Sequence, residues 1–186
     1  MTTTDRVILG IDPGTNIMGY GVIHVKNKTI ELLAFDIVNL SKLDDHAIKL
    51  KEIFDATTKL IDTYKPDDFA IEAPFYGKNV QSMLKLGRAQ GVAIAAALNK
   101  NIPVTEYSPK KIKQSITGNG NASKEQVAAM LQQLLKIKEI HKYLDATDGL
   151  AAAVCHYFQN STNNGLENKS YSGWEAFIKK NPHRKL

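Results

Sequence analysis

Four carboxylates in this chain stand where a carboxylate is costly to place. Asp12 closes the apolar run Val7–Ile11 and is followed at once by the turn residues Pro13, Gly14 and Thr15. Glu72 closes the shorter apolar run Phe69-Ala70-Ile71. Asp145 and Asp148 form a D-x-x-D pair just ahead of a small-residue segment, a spacing that puts both on one face of a helix start. Burying an unpaired carboxylate costs several kcal/mol, so acids at the mouths of buried strands ordinarily have a cation as partner. Hard oxygen donors suit Mg²⁺ or Mn²⁺. Two such ions, about 3.5–4 Å apart, activate a water and stabilise the leaving oxygen of a phosphodiester. Each acid has a plainer reading alone: a helix cap for Asp145, a first-turn charge for Asp148, a salt bridge for Glu72. Taken jointly, they favour an acidic metal site assembled from distant parts of the chain.

Directly after Glu72 comes Ala73-Pro74-Phe75-Tyr76-Gly77-Lys78-Asn79. Phe75 and Tyr76 on a surface loop would stack on bases or wedge between them, although packing of one of the two into the core is an equally plain use. Lys78, with the helix start behind it, would hold a phosphate. Residues 110–124 contain four lysines and no acid, and Lys110, Lys111, Lys113 and Lys124 offer phosphate contacts against the alternative of a solvated charged face. The net charge of +5 leans mildly toward an anionic partner. Pro13 and Gly14 read as a tight hairpin turn.

The elements that must position these groups follow from pattern. Strands are expected at Val7–Asp12, Tyr20–Val25, Ile30–Val38, Phe69–Glu72 and Pro103–Tyr107. Helices are expected from Ala47 to Tyr64 (stopped by Pro66), from an Asn79 cap to about Asn99, after Ser108-Pro109, from the Ser123-x-x-Gln126 capping box to about Leu135, and from near Asp145 to about Phe158. This order gives an α/β fold: an antiparallel meander, then β-α-β crossovers, in a mixed five-stranded sheet flanked by helices. Gly87, Gly91 and Ala95 recur at i, i+4, i+8 in the long helix, with Ala89, Ala93, Ala96 and Ala97 beside them. They serve either tight internal packing or a dimer interface. Cys155 reads as a core residue, and the five histidines show no metal-ligand spacing.

At 186 residues and 43% hydrophobic, the chain suits one globular domain, expected over residues 1–160. A polar and basic tail, with a short helix at Trp174–Lys180, is expected over 161–186. No apolar run reaches the roughly 18 residues of a membrane span, the N-terminus has no signal-peptide apolar segment, and one cysteine allows no internal disulfide. A cytoplasmic protein without membrane association is the expectation.

Three blocks carry a family resemblance: ILGIDPGTNIMGYGVI, AIEAPFYGKNVQSMLKLGRAQGVAIAAAL and DATDGLAAAVCH. In this order and spacing they resemble the RuvC-type Holliday junction resolvases, roughly from Val7 to Gln159. The resemblance implies a ribonuclease-H-like fold and a homodimer that cuts opposed strands of a four-way DNA junction in recombination and repair. It implies two Mg²⁺ per subunit, with Mn²⁺ as a substitute, held by Asp12, Glu72, Asp145 and Asp148. Phe75 matches the aromatic wedge of the family, and Lys113 and Lys124 match basic residues that contact the cleaved strand. Association with the RuvA–RuvB branch-migration complex is implied as well. The alternative is a related nuclease acting on another structured nucleic acid, such as a precursor RNA. A nucleotide-dependent kinase is disfavoured, because it needs two such lobes.

Overall fold

Alternation of side chains along a strand sorts the core into two layers. The computed structural model describes residues 5–27, 29–74, 79–138 and 144–163. Its elements are β1 (Arg6–Asp12), β2 (Ile17–Lys26), β3 (Thr29–Asn39), α1 (His46–Tyr64), β4 (Asp68–Glu72), α2 (Val80–Asn99), β5 (Val104–Tyr107), α3 (Pro109–Thr117), α4 (Lys124–Leu135) and α5 (Leu144–Asn163). One five-stranded sheet has the order β3-β2-β1-β4-β5. β1, β2 and β3 form the expected antiparallel meander, while β4 runs parallel to β1 and β5 parallel to β4. The architecture is the expected α/β, ribonuclease-H-like one.

In β1, Leu9 and Ile11 point to one face, where they join Phe69, Ile53 and Ile61 and the alanines Ala89, Ala93 and Ala97 of α2. Ile8 points to the other face, with Ala70, Leu131, Leu150 and Val154. α1 and α2 therefore cover one side of the sheet and α3, α4 and α5 the other. Asp12 shares the parity of Ile8, and Glu72 that of Ala70, so both acids look toward the α5 side.

The helix starts follow their caps. Asp45 accepts from Ile48 N (3.0 Å), Asn79 from Ser82 N (3.1 Å) and Ser108 from Lys111 N (3.3 Å). Ser123 and Gln126 form the reciprocal capping box. α1 ends on Lys65 in the left-handed region (φ 47°) before Pro66.

Two expectations are adjusted. Cys155 is fully buried as expected, but α5 continues to Asn163 rather than ending near Phe158. Polarity alone does not stop a helix: no Gly or Pro intervenes before Gly165, and Asn160 Nδ2 meets His156 Nε2 one turn back at 2.9 Å. The stripe of small residues in α2 divides. Ala89, Ala93, Ala96 and Ala97 are buried, whereas Gly87 and Gly91 have open space where a Cβ would lie and Ala95 is exposed. The tail from Asn164, with the helix expected at Trp174–Lys180, lies outside the described residues.

Candidate active site

The acids meet because glycines let α5 lie against the sheet backbone. A Cβ on Gly10 would stand 2.2 Å from Gly149 O and 2.4 Å from Ala153 N. One on Gly19 would stand 1.9 Å from Asp145 O, and one on Gly21 2.3 Å from Leu150 Cα. In return, a Cβ on Gly149 would be 2.5 Å from Tyr20 Cα. Four glycines, on β1, β2 and α5, thus form a close backbone contact that no side chain fits. Because Gly19 pairs with Asp12 in the β1–β2 register, that contact sets the first turn of α5 directly over the end of β1. Glu72 arrives from the other side: the β1–β4 register ends at Ile11 and Ile71, one residue before each acid.

Asp12, Glu72 and Asp148 line a cavity of about 340 Å³, together with Pro13, Leu86 and two lysines, Lys113 from α3 and Lys124 from the start of α4. Lys124 Nζ holds both α5 acids, at 3.1 Å from Asp145 Oδ1 and 2.5 Å from Asp148 Oδ2. Burial alone would lower the Lys124 pKa, but the hydrogen bonds and charges of Asp148 and Asp145 outweigh it and raise the value above the usual lysine range. Among the described residues, no three His, Cys, Asp or Glu side chains are gathered closely enough to grip an ion as they stand. Two of the four acids are instead spanned by an ammonium.

The remaining charge is poorly compensated. Burial, then repulsion from Glu72 and Asp148, pushes Asp12 well above the carboxylate range. Burial and the Asp148 charge push Glu72 up to about 7, against the opposing pull of Lys124 and Lys113. Asp148 is raised chiefly by burial, with Lys124 as the main counterweight. A carboxylate whose pKa is raised by folding stabilises the fold fully below its unfolded value, near 4. That contribution is lost as pH climbs through the folded value. Without divalent cation, the melting temperature should therefore fall between pH 5 and 8, with Glu72 alone accounting for on the order of 3 kcal/mol. Mg²⁺ should restore it at the alkaline end. A flat profile in differential scanning calorimetry would contradict this electrostatic picture.

Further contacts hold the ends of β4 and β5. Gln90, buried in α2, donates from Nε2 to Glu106 Oε2 (2.7 Å) and reaches the Glu72 carbonyl at 3.5 Å. His156 of α5 bonds the Tyr107 hydroxyl through Nδ1 (2.9 Å) and places Nε2 3.6 Å from Asp68, which is also ion-paired to Arg6. Burial first, then the Cys155 and Asp68 charges, pushes the Tyr107 hydroxyl up to about 12, so it stays protonated. Neither Gln90 nor His156 stands out in the sequence, since a lone Gln among alanines and a lone His in a helix carry no spacing signal.

Asp12, Glu72, Asp145, Asp148, Lys113 and Lys124 are thus brought to one end of the sheet. A shallower cavity of about 490 Å³ adjoins it, lined by Pro74, Pro109, Lys110, Lys113 and Asn121. Phe75, Tyr76 and Lys78 lie outside the described residues.

A ribonuclease-H-like sheet with acids at the ends of β1 and β4 and on a crossing helix defines a class of nucleases and related phosphoryl-transfer proteins. The family model described as crossover junction endodeoxyribonuclease RuvC matches residues 8–156. The chain is 62% identical over 182 residues to the protein of that name from Cytophaga hutchinsonii, covering 98% of this chain and 89% of that one. It is 57% identical over 187 residues to the one from Porphyromonas gingivalis, covering 99% of each. Among solved structures, Thermus thermophilus RuvC in complex with a Holliday junction substrate superposes with a TM-score of 0.76 at 28% identity, covering 85% of this chain and 96% of that one. The chain therefore belongs to the crossover junction endodeoxyribonuclease RuvC family.

Proposed function

We propose that the protein resolves four-way DNA junctions by paired, metal-dependent strand cuts. The observation that carries this reading is the convergence of Asp12, Glu72 and Asp148 on one cavity edged by Lys113 and Lys124. Carboxylates held close together, with Asp12, Glu72 and Asp148 raised by burial and mutual repulsion, form a donor set suited to a hard cation. Asp12, Glu72, Asp145 and Asp148 would hold two Mg²⁺, with Mn²⁺ as a substitute. When bound, the ions would supply Lewis-acid stabilisation of the phosphodiester charge and a nucleophilic water at neutral pH. The chain's own residues do the rest. The acids of β1 and α5 orient the attacking side, and Glu72 the leaving side. Lys113 and Lys124 offset the phosphate charge as it grows. Hydrolysis breaks the bond from phosphorus to the 3′ oxygen, leaving 5′-phosphate and 3′-hydroxyl ends.

Pairing of the cuts is supported by α2. Val80, Leu84 and Leu98 are 63%, 58% and 56% exposed and share one helix face with Gly87, Gly91 and Ala95. Against a second copy, that face buries apolar surface at close helix approach. The resulting isologous dimer presents two sites to a substrate of matching symmetry. We place its work in recombination and repair in the cytoplasm, beside the RuvA–RuvB branch-migration complex, as family membership supports. Among the described residues, no helix is long and apolar enough to cross a membrane.

Competition binding tests the reading: a four-way junction should displace a linear duplex of the same sequence, and equal affinity would point to another nucleic-acid substrate. Phe75 is proposed as the wedge at the junction centre. Phe75→Ala should lower the 2-aminopurine fluorescence rise on junction opening more than it lowers affinity. An unchanged rise would remove Phe75 from that role.

A further inference from the structure

The end of the sheet that carries the acids has a second polar cavity, on the α1–α2 side, of about 260 Å³. We propose that it seats a backbone phosphate of the strand being cut, beside the scissile position, an inference that rests on the nuclease reading above.

Its lining is rich in donors and carries a net positive charge. Lys49 Nζ is fixed over the β1–β2 loop by donating to Asn16 Oδ1 at 3.1 Å. That partner is neutral, and Lys49 has no ion pair among the described residues. Lys85, from the second turn of α2, lines the same cavity and has no carboxylate partner among the described residues. His46 lines the cavity as well. The hydroxyls of Thr15 and Ser82 add two further donors. Asp44 is the one anionic group on the lining, and two ammonium groups outweigh it.

The position fits a strand already held at the acids. Pro13 lines the acid cavity and Thr15 this one, two residues along the same loop. Leu86 lines the acid cavity and Lys85 this one, one residue apart on α2. Neighbouring Cα atoms are about 3.8 Å apart, so the two cavities adjoin. Lys113 and Lys124 grip from α3 and α4, on the far side of the sheet end. A strand lying across the acids would then be held on both sides of the cut. Phosphate contacts of this kind fix register and carry no base preference.

The test uses the full-length protein and a four-way junction in EDTA, with affinity followed by fluorescence anisotropy through a salt titration. The Lys49→Gln/Lys85→Gln double variant should make the slope of log affinity against log salt shallower by about 1 and weaken binding about tenfold at moderate salt. Asp44→Asn should act in the opposite direction, tightening binding about threefold. A methylphosphonate placed at successive positions beside the cut should weaken the wild type at one position and leave the double variant unaffected there. Parallel salt slopes for wild type and double variant, or weaker binding by Asp44→Asn, would overturn the proposal. If the wild type holds junction and linear duplex equally, the junction reading fails, while the difference in slopes still decides whether this cavity takes a phosphate.

Discussion

Asp12→Asn should retain junction binding, lose cleavage by about 10³-fold or more, and melt at a higher temperature than the wild type when no divalent cation is present. The three outcomes have one cause. The surroundings of Asp12 favour its protonation, with burial first and then Glu72 and Asp148 raising its pKa well above the carboxylate range. Replacing the carboxylate by an amide removes that repulsion while keeping size and shape, so the metal-free fold gains stability. The same change removes a hard oxygen donor from the centre of the acid set, between the β4 and α5 contributions. Lys113, Lys124 and the face of α2 are untouched, so binding persists. Mg²⁺ should raise the melting temperature of the wild type more than that of the variant. Mg²⁺-dependent cleavage at near-wild-type rate by Asp12→Asn would remove Asp12 from the site.

Gly149→Ala should be severely damaging for a single added methyl group. Its Cβ would lie 2.5 Å from Tyr20 Cα and 2.6 Å from both Gly19 C and Gly19 O. All three are backbone atoms of a central strand, and no rotamer change relieves the clash. Overpacking in cores costs about 1–3 kcal/mol, more where backbone must move, so a loss of about 3 kcal/mol or more is expected in urea denaturation. Where the variant still folds, α5 is displaced from β2 and carries Asp145 and Asp148 away from Asp12. Cleavage should then fall well beyond the fraction of unfolded protein. Gly87→Ala provides the contrast, because nothing lies within 4 Å of its Cβ position. It should preserve the monomer fold and report only on the proposed dimer face. Equal stability of Gly149→Ala and wild type would mean that α5 does not depend on this backbone contact.

The fold was legible where side-chain period and cap chemistry agree. The five strands, the Asn79, Ser108 and Ser123 caps and the stop at Pro66 could be read from the chain because each rests on interactions within a few residues. The acids were legible for a related reason: a carboxylate closing an apolar run is conspicuous against its neighbours. The close contact of Gly10, Gly19, Gly21 and Gly149 was not legible. A glycine in a strand marks close approach of something, but the approaching element is set by tertiary packing, and α5 is more than a hundred residues away in the chain. For the same reason the sequence could not show that Lys124, read as a phosphate contact, spans Asp145 and Asp148. Nor could it place Lys49 and His46, which lie on an amphipathic helix with no motif, beside the loop that follows Asp12.

The most direct measurement is cleavage of a synthetic mobile four-way junction, beside a linear duplex of the same sequence, with Mg²⁺ and with EDTA. Paired cuts at symmetric positions in the junction alone, present with Mg²⁺ and absent with EDTA, are the expected result. Cleavage that persists in EDTA, or that falls equally on junction and duplex, would contradict a metal-dependent junction resolvase built on these four acids.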